Sequence, residues 1–259
     1  MYPKLFGLIE SYTVMMIVGI VAALALFEVY FRKILKEPGG KVFYLEMDLI
    51  LAIAIGLAGA YLMQNLYDFI QDPAHYTWNW SLTFYGGLIF GVGSFLIIYY
   101  FWVRKHYPGS CEKIFWIAPS SICLAHAFGR IGCFLAGCCY GLPTNEWYGI
   151  QFETTAEKVI PTNLFEAIFL FALSAVLILL AIKKKTPYGL SLYLVAYGIW
   201  RFFIEFARGD YRGSFIPGLT PSQFWSILLA LLGIAYFVFR QFIWPRIKKQ
   251  PKQNNEIPN

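Results

Sequence analysis

Long apolar runs alternate with short polar connections along this chain, and seven of the runs approach the roughly 20 residues that cross a bilayer core as a helix. They extend from Tyr12 to Phe31, Phe43 to Tyr67, Trp80 to Val103, Ile114 to Tyr140, Leu164 to Ile182, Leu190 to Phe206 and Phe224 to Phe242. In hydrocarbon each backbone N–H and C=O must be satisfied within the segment, so runs of this length predict helices. The first run is read as a retained span, because it is longer than a signal-peptide core and is followed by the stop-transfer pair Arg32 and Lys33. The expected fold is therefore all-α: one polytopic seven-helix membrane domain over residues 1–247. A polar, proline-containing tail over 248–259 is expected to be disordered in the cytoplasm.

Composition supports this reading and excludes a soluble globular domain. Hydrophobic residues make up 58% of the chain, aromatic residues 19% and charged residues only 14%, with a mean hydropathy of +0.56. The basic residues are one-sided: fifteen of the twenty-one lysines and arginines fall at or beyond the ends of spans one, three, five and seven. Four others, Lys4, Lys158, Arg208 and Arg212, fall on the opposite side. Cytoplasmic loops are enriched in these residues, which predicts an N-terminus outside and a C-terminus in the cytoplasm. The net charge of +6 is then topological and gives no reason to expect a nucleic-acid partner. Tyr76, Trp78 and Trp80 on the outer side and Tyr99, Tyr100 and Trp102 on the inner side fit interfacial aromatic belts. Residues 68–79, 141–160 and 208–220 are the outer loops, and no internal repeat is evident.

The two remaining basic residues, Arg130 and Arg201, lie inside apolar runs. An arginine near a bilayer centre costs about 3 kcal/mol on insertion scales, so such residues line polar cavities and act there; two together point to an anionic ligand. At about 1.5 Å of rise per residue, Tyr85 lies roughly 8 Å below the outer surface and Arg201 reaches a comparable level. Arg130 in the outer half of span four, Glu166 at the start of span five and Gln223 just before span seven complete one polar layer, read as a cavity open to the outer leaflet. Arg201 and Glu205, spaced i,i+4, share a helix face. The carboxylate either neutralises the arginine or orients its fork of donors toward a phosphate, and Arg208 with Asp210 continues this edge. The glycines of Tyr85-Gly86-Gly87 and Gly129-Arg130-Ile131-Gly132 permit close approach of a lipid or, equally, of a neighbouring helix.

Together these segments resemble the prolipoprotein diacylglyceryl transferases, integral membrane enzymes of bacteria. The likeness rests on Tyr85-Gly86-Gly87, Gly129-Arg130-Ile131-Gly132, Pro161-Thr162-Asn163-Leu164-Phe165-Glu166, Tyr197-Gly198-Ile199-Trp200-Arg201 with Glu205, and Gln223 with Ser226. It implies a multi-pass protein of the bacterial plasma (inner) membrane. The implied reaction passes the diacylglyceryl group of phosphatidylglycerol to the lipobox cysteine of a prolipoprotein, whose signal sequence enters laterally from the membrane lipid. Neither a metal nor an organic cofactor is implied. By resemblance Arg130 and Arg201 are catalytic and Gly86, Gly87, Glu166, Glu205 and Gln223 bind substrate; Tyr85 is read as catalytic and Arg208, on the edge of Arg201 and Glu205, as substrate-binding.

The chain also departs from the family. Tyr85 stands where the family has histidine, Cys133, Ala136 and Cys138 replace asparagines and a glutamate, and Tyr61 stands where an arginine is expected near the end of span two. His126, one turn before Arg130 on the same face, is a candidate for the missing imidazole, and a histidine bonded to a neighbouring helix is the alternative. Cys133, Cys138 and Cys139 form a C-x4-C-C cluster without a standard zinc spacing. On a regular helix Cys133 and Cys138 are too far apart to pair unless the helix unwinds, with Gly137 the place to do so. Small apolar packing is one reading of the cluster; a redox switch or a soft-metal site with His126 is another. Three functions stay open: the transferase, a transferase of the same fold with another acceptor, and a non-enzymatic membrane thiol or metal-binding module.

Overall fold

In the computed structural model the described residues are 4–5, 9–184, 186–208 and 218–249. They form seven long helices: α1 (Ser11–Val29), α2 (Gly39–Gln71), α3 (Phe84–Ile98), α4 (Ser110–Ala136), α5 (Thr162–Lys184), α6 (Gly189–Ile204) and α7 (Pro221–Val238). Wider π-type turns prolong α1, α3 and α7 at Tyr30–Ile34, Tyr99–Val103 and Phe239–Ile243, and a 3₁₀ turn, Glu205–Ala207, prolongs α6. A two-residue antiparallel pairing of Lys4–Leu5 with Ile9–Glu10 precedes α1. All seven helices are long and apolar enough to cross a membrane. Asp210, Arg212, the tail from residue 250 onward and the side chain of Tyr85 lie outside the described residues.

The exposed surface of these helices is apolar. Leu88, Ile89, Val92, Leu96 and Ile97 on α3 and Leu231, Leu232, Ile234 and Phe237 on α7 are all exposed. Bands of this kind are unstable against water and suited to lipid. Buried positions include several polar ones: Asp48 and Asn65 on α2, Ser120 on α4, Glu166 and Ser174 on α5, and Arg201 on α6.

The chain divides into two compact units, Met1–Phe27 with Ile114–Asn259 and Glu28–Lys113. In the unit Glu28–Lys113, α2 packs on α3 through glycine. A Cβ on Gly86 would lie 2.6 Å from the Gly59 carbonyl oxygen, and one on Gly59 would overlap the Phe90 ring. Gly87 differs, since a Cβ there would meet Ala60 at an ordinary 3.6 Å, so packing does not demand its glycine. α3 begins at Phe84, four residues later than the apolar run suggests, because residues 79–83 are held by α2. Asn65 is buried and donates to the carbonyls of Tyr61 (2.9 Å) and Asn79 (3.0 Å). Its Oδ1 accepts from the Asn79 N–H and the Tyr76 hydroxyl, and the Thr83 N–H donates to the Ala60 carbonyl. Tyr85 therefore falls in the first turn of α3, and the helical rise from Trp80 does not apply to the residues before it.

At the other end of this unit Lys113 donates to both Glu37 and the Tyr107 hydroxyl, and its ammonium lies 5.1 Å from the Tyr107 ring centre. Burial alone would raise the Glu37 carboxyl. The hydrogen bonds from Lys113 and Tyr107 and the charges of Lys113 and Lys41 prevail and hold it below its ordinary value. A carboxylate depressed by folding adds stability that is complete above its unfolded pKa and vanishes as pH falls through its native one. In detergent, the wild-type protein should therefore unfold at a higher temperature than Glu37→Gln near neutral pH. The two should converge in acid below the normal carboxylate range. Parallel curves at all pH values would show that the pair contributes nothing.

In the other unit α4, α5 and α6 share a core of Cys123, Ala127, Leu170, Leu173 and Leu177, flanked by Phe169, Phe171, Tyr193, Ala196 and Tyr197. α6 and α7 approach closely at Gly198, where a Cβ would lie 2.8 Å from the Ser226 carbonyl oxygen. The ends of two helices matter most for the site. α4 stops at Ala136, four residues short of the apolar run, because Gly137 takes a left-handed φ of +69°. The Gly137 N–H bonds the Phe134 carbonyl and the Cys138 N–H the Cys133 carbonyl, the pairing of a Schellman stop. α7 opens on a capping box: Thr220 accepts from the Gln223 N–H, Gln223 Oε1 accepts from the Thr220 N–H, and Pro221 follows.

Candidate functional site

α4 to α7 bring polar residues to one end of this unit: the C-terminal turns of α4 and α6 and the N-terminal turns of α5 and α7. Arg130 lies six residues from the end of α4, Glu166 four residues into α5, Arg201 three residues from the end of α6, and Ser222 and Gln223 in the first turn of α7. Antiparallel succession of the helices is what places these sequence-distant residues at one level.

Glu166 is the centre of the arrangement and is fully buried. Its Oε1 is 3.1 Å from Arg130 Nη2, accepts from the Tyr197 hydroxyl at 2.8 Å and lies 3.9 Å from His126 Nε2. Its Oε2 is 3.8 Å from Arg201 Nη1, too far for a direct hydrogen bond. A single carboxylate thus stands between both intramembrane arginines. Arg201 Nη2 donates to Glu205 Oε2 at 2.6 Å and to the Ser222 hydroxyl at 3.1 Å. Glu205 Oε1 accepts from Thr220 at 3.1 Å, and Arg208 Nε is 4.0 Å from Glu205 Oε2. Among the described residues, the guanidinium groups of Arg130, Arg201 and Arg208 face the carboxylates of Glu166 and Glu205.

Among the described residues, several buried atoms of the cluster have no hydrogen-bond partner: Arg201 Nη1, Arg130 Nε and Glu166 Oε2. Donors left unpaired in a low-dielectric site cost free energy unless a ligand takes them. Forked guanidinium donors and an opening at Arg130, whose side chain is 18% exposed, suit a phosphate ester or another small oxyanion.

The expected residues separate into groups. Arg130, Arg201, Glu166, Glu205 and Arg208 form one ion-paired cluster. His126 borders it, packed edge-on against the Tyr197 ring with centroids 4.9 Å apart. Gln223 is buried at the same end, and its side-chain oxygen serves the capping box of α7, whose Thr220 donates to Glu205. Gly86 and Gly87, like Tyr85, belong to the unit Glu28–Lys113, where Gly86 serves the α2–α3 contact. Tyr61 stacks on Trp80 with ring centres 5.0 Å apart in that same unit.

Sequence reasoning missed Tyr197, Ser222 and Thr220 as partners of the charged groups, although Tyr197 stands four residues before Arg201 and so shares its face. It also missed Asp48, a fully buried carboxylate on α2 with neither oxygen hydrogen-bonded in the protein. An acidic residue inside an apolar run was the available signal.

Residues 4–239 match the family model for prolipoprotein diacylglyceryl transferase. The chain is 33% identical to a phosphatidylglycerol-prolipoprotein diacylglyceryl transferase of Clostridium tetani (strain Massachusetts / E88), over 92% of this chain and 96% of that one. It is 34% identical to the second such transferase of Clostridium perfringens (strain 13 / Type A), over 90% and 92%. A further relative of the same name from Dehalococcoides mccartyi is 29% identical over 90% of each chain. The match runs through every helix that carries the arginine cluster, and on that extent and identity the chain belongs to the prolipoprotein diacylglyceryl transferase family.

Proposed function

We propose that this protein transfers a diacylglyceryl group from phosphatidylglycerol to the cysteine thiol of a prolipoprotein, working in the bacterial inner membrane with its N-terminus outside. The observation that carries the reading is the pair Arg130 and Arg201, held apart by Glu166, each with a buried donor that no group among the described residues accepts. In the reaction the acceptor sulfur loses its proton and forms a bond to a glycerol carbon. The bond from that carbon to the phosphate oxygen breaks, and glycerol phosphate leaves with the electron pair. Negative charge grows on the phosphate as it departs. Fixed guanidinium donors in a dry site stabilise that charge more than they stabilise the ester, which is the condition for raising the rate. Arg130, Arg201, Glu205 and Arg208 are read as the headgroup site, with Glu166 and Tyr197 orienting the arginines. Gly86, Gly87 and Gln223 are retained as candidate substrate contacts by resemblance, and Tyr85 as a candidate catalytic hydroxyl. The prolipoprotein's signal sequence and the membrane lipid reach the site from the bilayer.

The test is incubation of purified protein with phosphatidylglycerol vesicles and a lipobox peptide, read by mass spectrometry for a diacylglyceryl adduct on the cysteine. No adduct, with an authentic transferase active alongside, would sink the reading. Lipid turnover without a peptide adduct would instead point to another acceptor. His126 is the candidate for taking the thiol proton, as the imidazole beside the cluster. If it is the general base, His126→Ala should slow transfer by about 10²-fold or more. Retained activity would remove it from the mechanism.

A further inference from the structure

Beyond the arginine cluster, the stop of α4 gathers three thiols. The sulfurs of Cys133, Cys138 and Cys139 all lie within 4.8 Å of one another, and none is in a disulfide. Chain direction produces this: the left-handed Gly137 folds Cys138 back over Cys133, and Cys139 itself adopts a φ of +61°. A left-handed conformation is uncommon and unfavourable for a residue that carries a Cβ, so the surroundings must hold it in place. Here three successive carbonyls are clamped by side chains. Thr154 donates to the Gly137 carbonyl at 2.9 Å, Asn163 to that of Cys138 at 2.8 Å and Thr162 to that of Cys139 at 3.0 Å. Thr162 and Asn163 are buried, so the turn is fixed from within the protein. Apolar packing does not account for a strained, triply clamped turn that turns three sulfurs toward one another.

We propose that Cys133, Cys138 and Cys139 form a three-thiolate site for a thiophilic divalent d¹⁰ cation of the Zn²⁺ and Cd²⁺ class. Three sulfurs bound about 2.3 Å from one ion sit about 4 Å apart, which the observed spacing reaches by side-chain rotation alone. Cys138 is exposed and provides the entry path, while buried Cys133 closes the far side. On binding, three S–H bonds are replaced by three S–metal bonds and the protons pass to solvent. Three thiolates with a divalent ion carry one net negative charge. The positive charge of Arg208, which acts on Cys139, offsets that charge, an arrangement that favours a divalent over a monovalent ion. His126 is not among the ligands: its nearest charged partner is Glu166.

Reduced, detergent-purified full-length protein titrated with Cd²⁺ should bind one ion at this site, with the ultraviolet charge-transfer absorption of cadmium thiolates. Each single change, Cys133→Ser, Cys138→Ser or Cys139→Ser, should weaken binding by at least about 10-fold. The double change Cys111→Ser with Cys123→Ser should leave it intact. Labelling of the unaltered protein with N-ethylmaleimide is independent of any variant's folding: Cd²⁺ should shield these three cysteines and leave exposed Cys111 reactive. Equal labelling with and without Cd²⁺, or an unchanged titration when all three cysteines are serine, would overturn the proposal. Neither readout requires transfer activity, so the transferase reading and the metal site stand or fall separately.

Discussion

Arg201→Ala is expected to lower diacylglyceryl transfer by about 10²- to 10³-fold, the loss that follows removal of one preorganised donor to a developing oxyanion. Arg201 holds both functions of the site in one side chain: Nη2 is occupied by Glu205 and Ser222, and Nη1 is buried without a protein acceptor. The fall should appear at saturating phosphatidylglycerol, because an interaction made mainly in the transition state changes kcat along with kcat/KM. Arg201→Lys keeps the charge and loses the planar fork, so it should recover only part of the activity. Full activity in Arg201→Lys would mean that charge alone suffices and that the forked geometry is incidental. Thermal unfolding of both variants in detergent separates a chemical loss from misfolding.

The second large effect concerns stability. Glu166→Ala removes the one carboxylate shared by Arg130 and Arg201 and strands the Tyr197 hydroxyl, all at a fully buried position. Breaking a buried ion pair from one side typically costs 3–5 kcal/mol, because the remaining charge has neither partner nor water. That is comparable to the whole stability of a marginal domain, so Glu166→Ala should unfold at markedly lower temperature and lose activity with it. Glu166→Gln keeps the volume and an acceptor for Tyr197, and should fall between wild type and Glu166→Ala. Equal stability of all three forms would contradict the central place given to this carboxylate. A phosphate analogue should stabilise Glu166→Gln more than wild type, since the arginines then lack their internal anion.

Different physics governs the parts of this protein that could and could not be read from its residues. Seven helices were legible because a lipid-facing helix must be apolar along its length and must satisfy its own backbone, a condition written into about 20 successive residues. Arg130 and Arg201 were legible for the converse reason: a guanidinium in such a run is too costly to lack a role. The pairing of Arg201 with Glu205 also followed from helical spacing, and the two are 2.6 Å apart. Helix ends were less legible. The apolar runs continue through Tyr140 and back to Trp80, but Gly137 and the Asn65 clasp override hydrophobicity at those ends.

The sequence by itself determined the helices, their order and the presence of intramembrane charge, because each depends on residues close together in the chain. Only the tertiary structure decided that Glu166 serves both arginines at once, since this requires α4, α5 and α6 to meet at one level. It also turned Gln223 from a free polar residue into part of a helix cap. The cysteine cluster lies between these cases. Gly137 signalled a stop, but the approach of three sulfurs depends on the clamping of that turn by Thr154, Thr162 and Asn163, which come well after it in the chain.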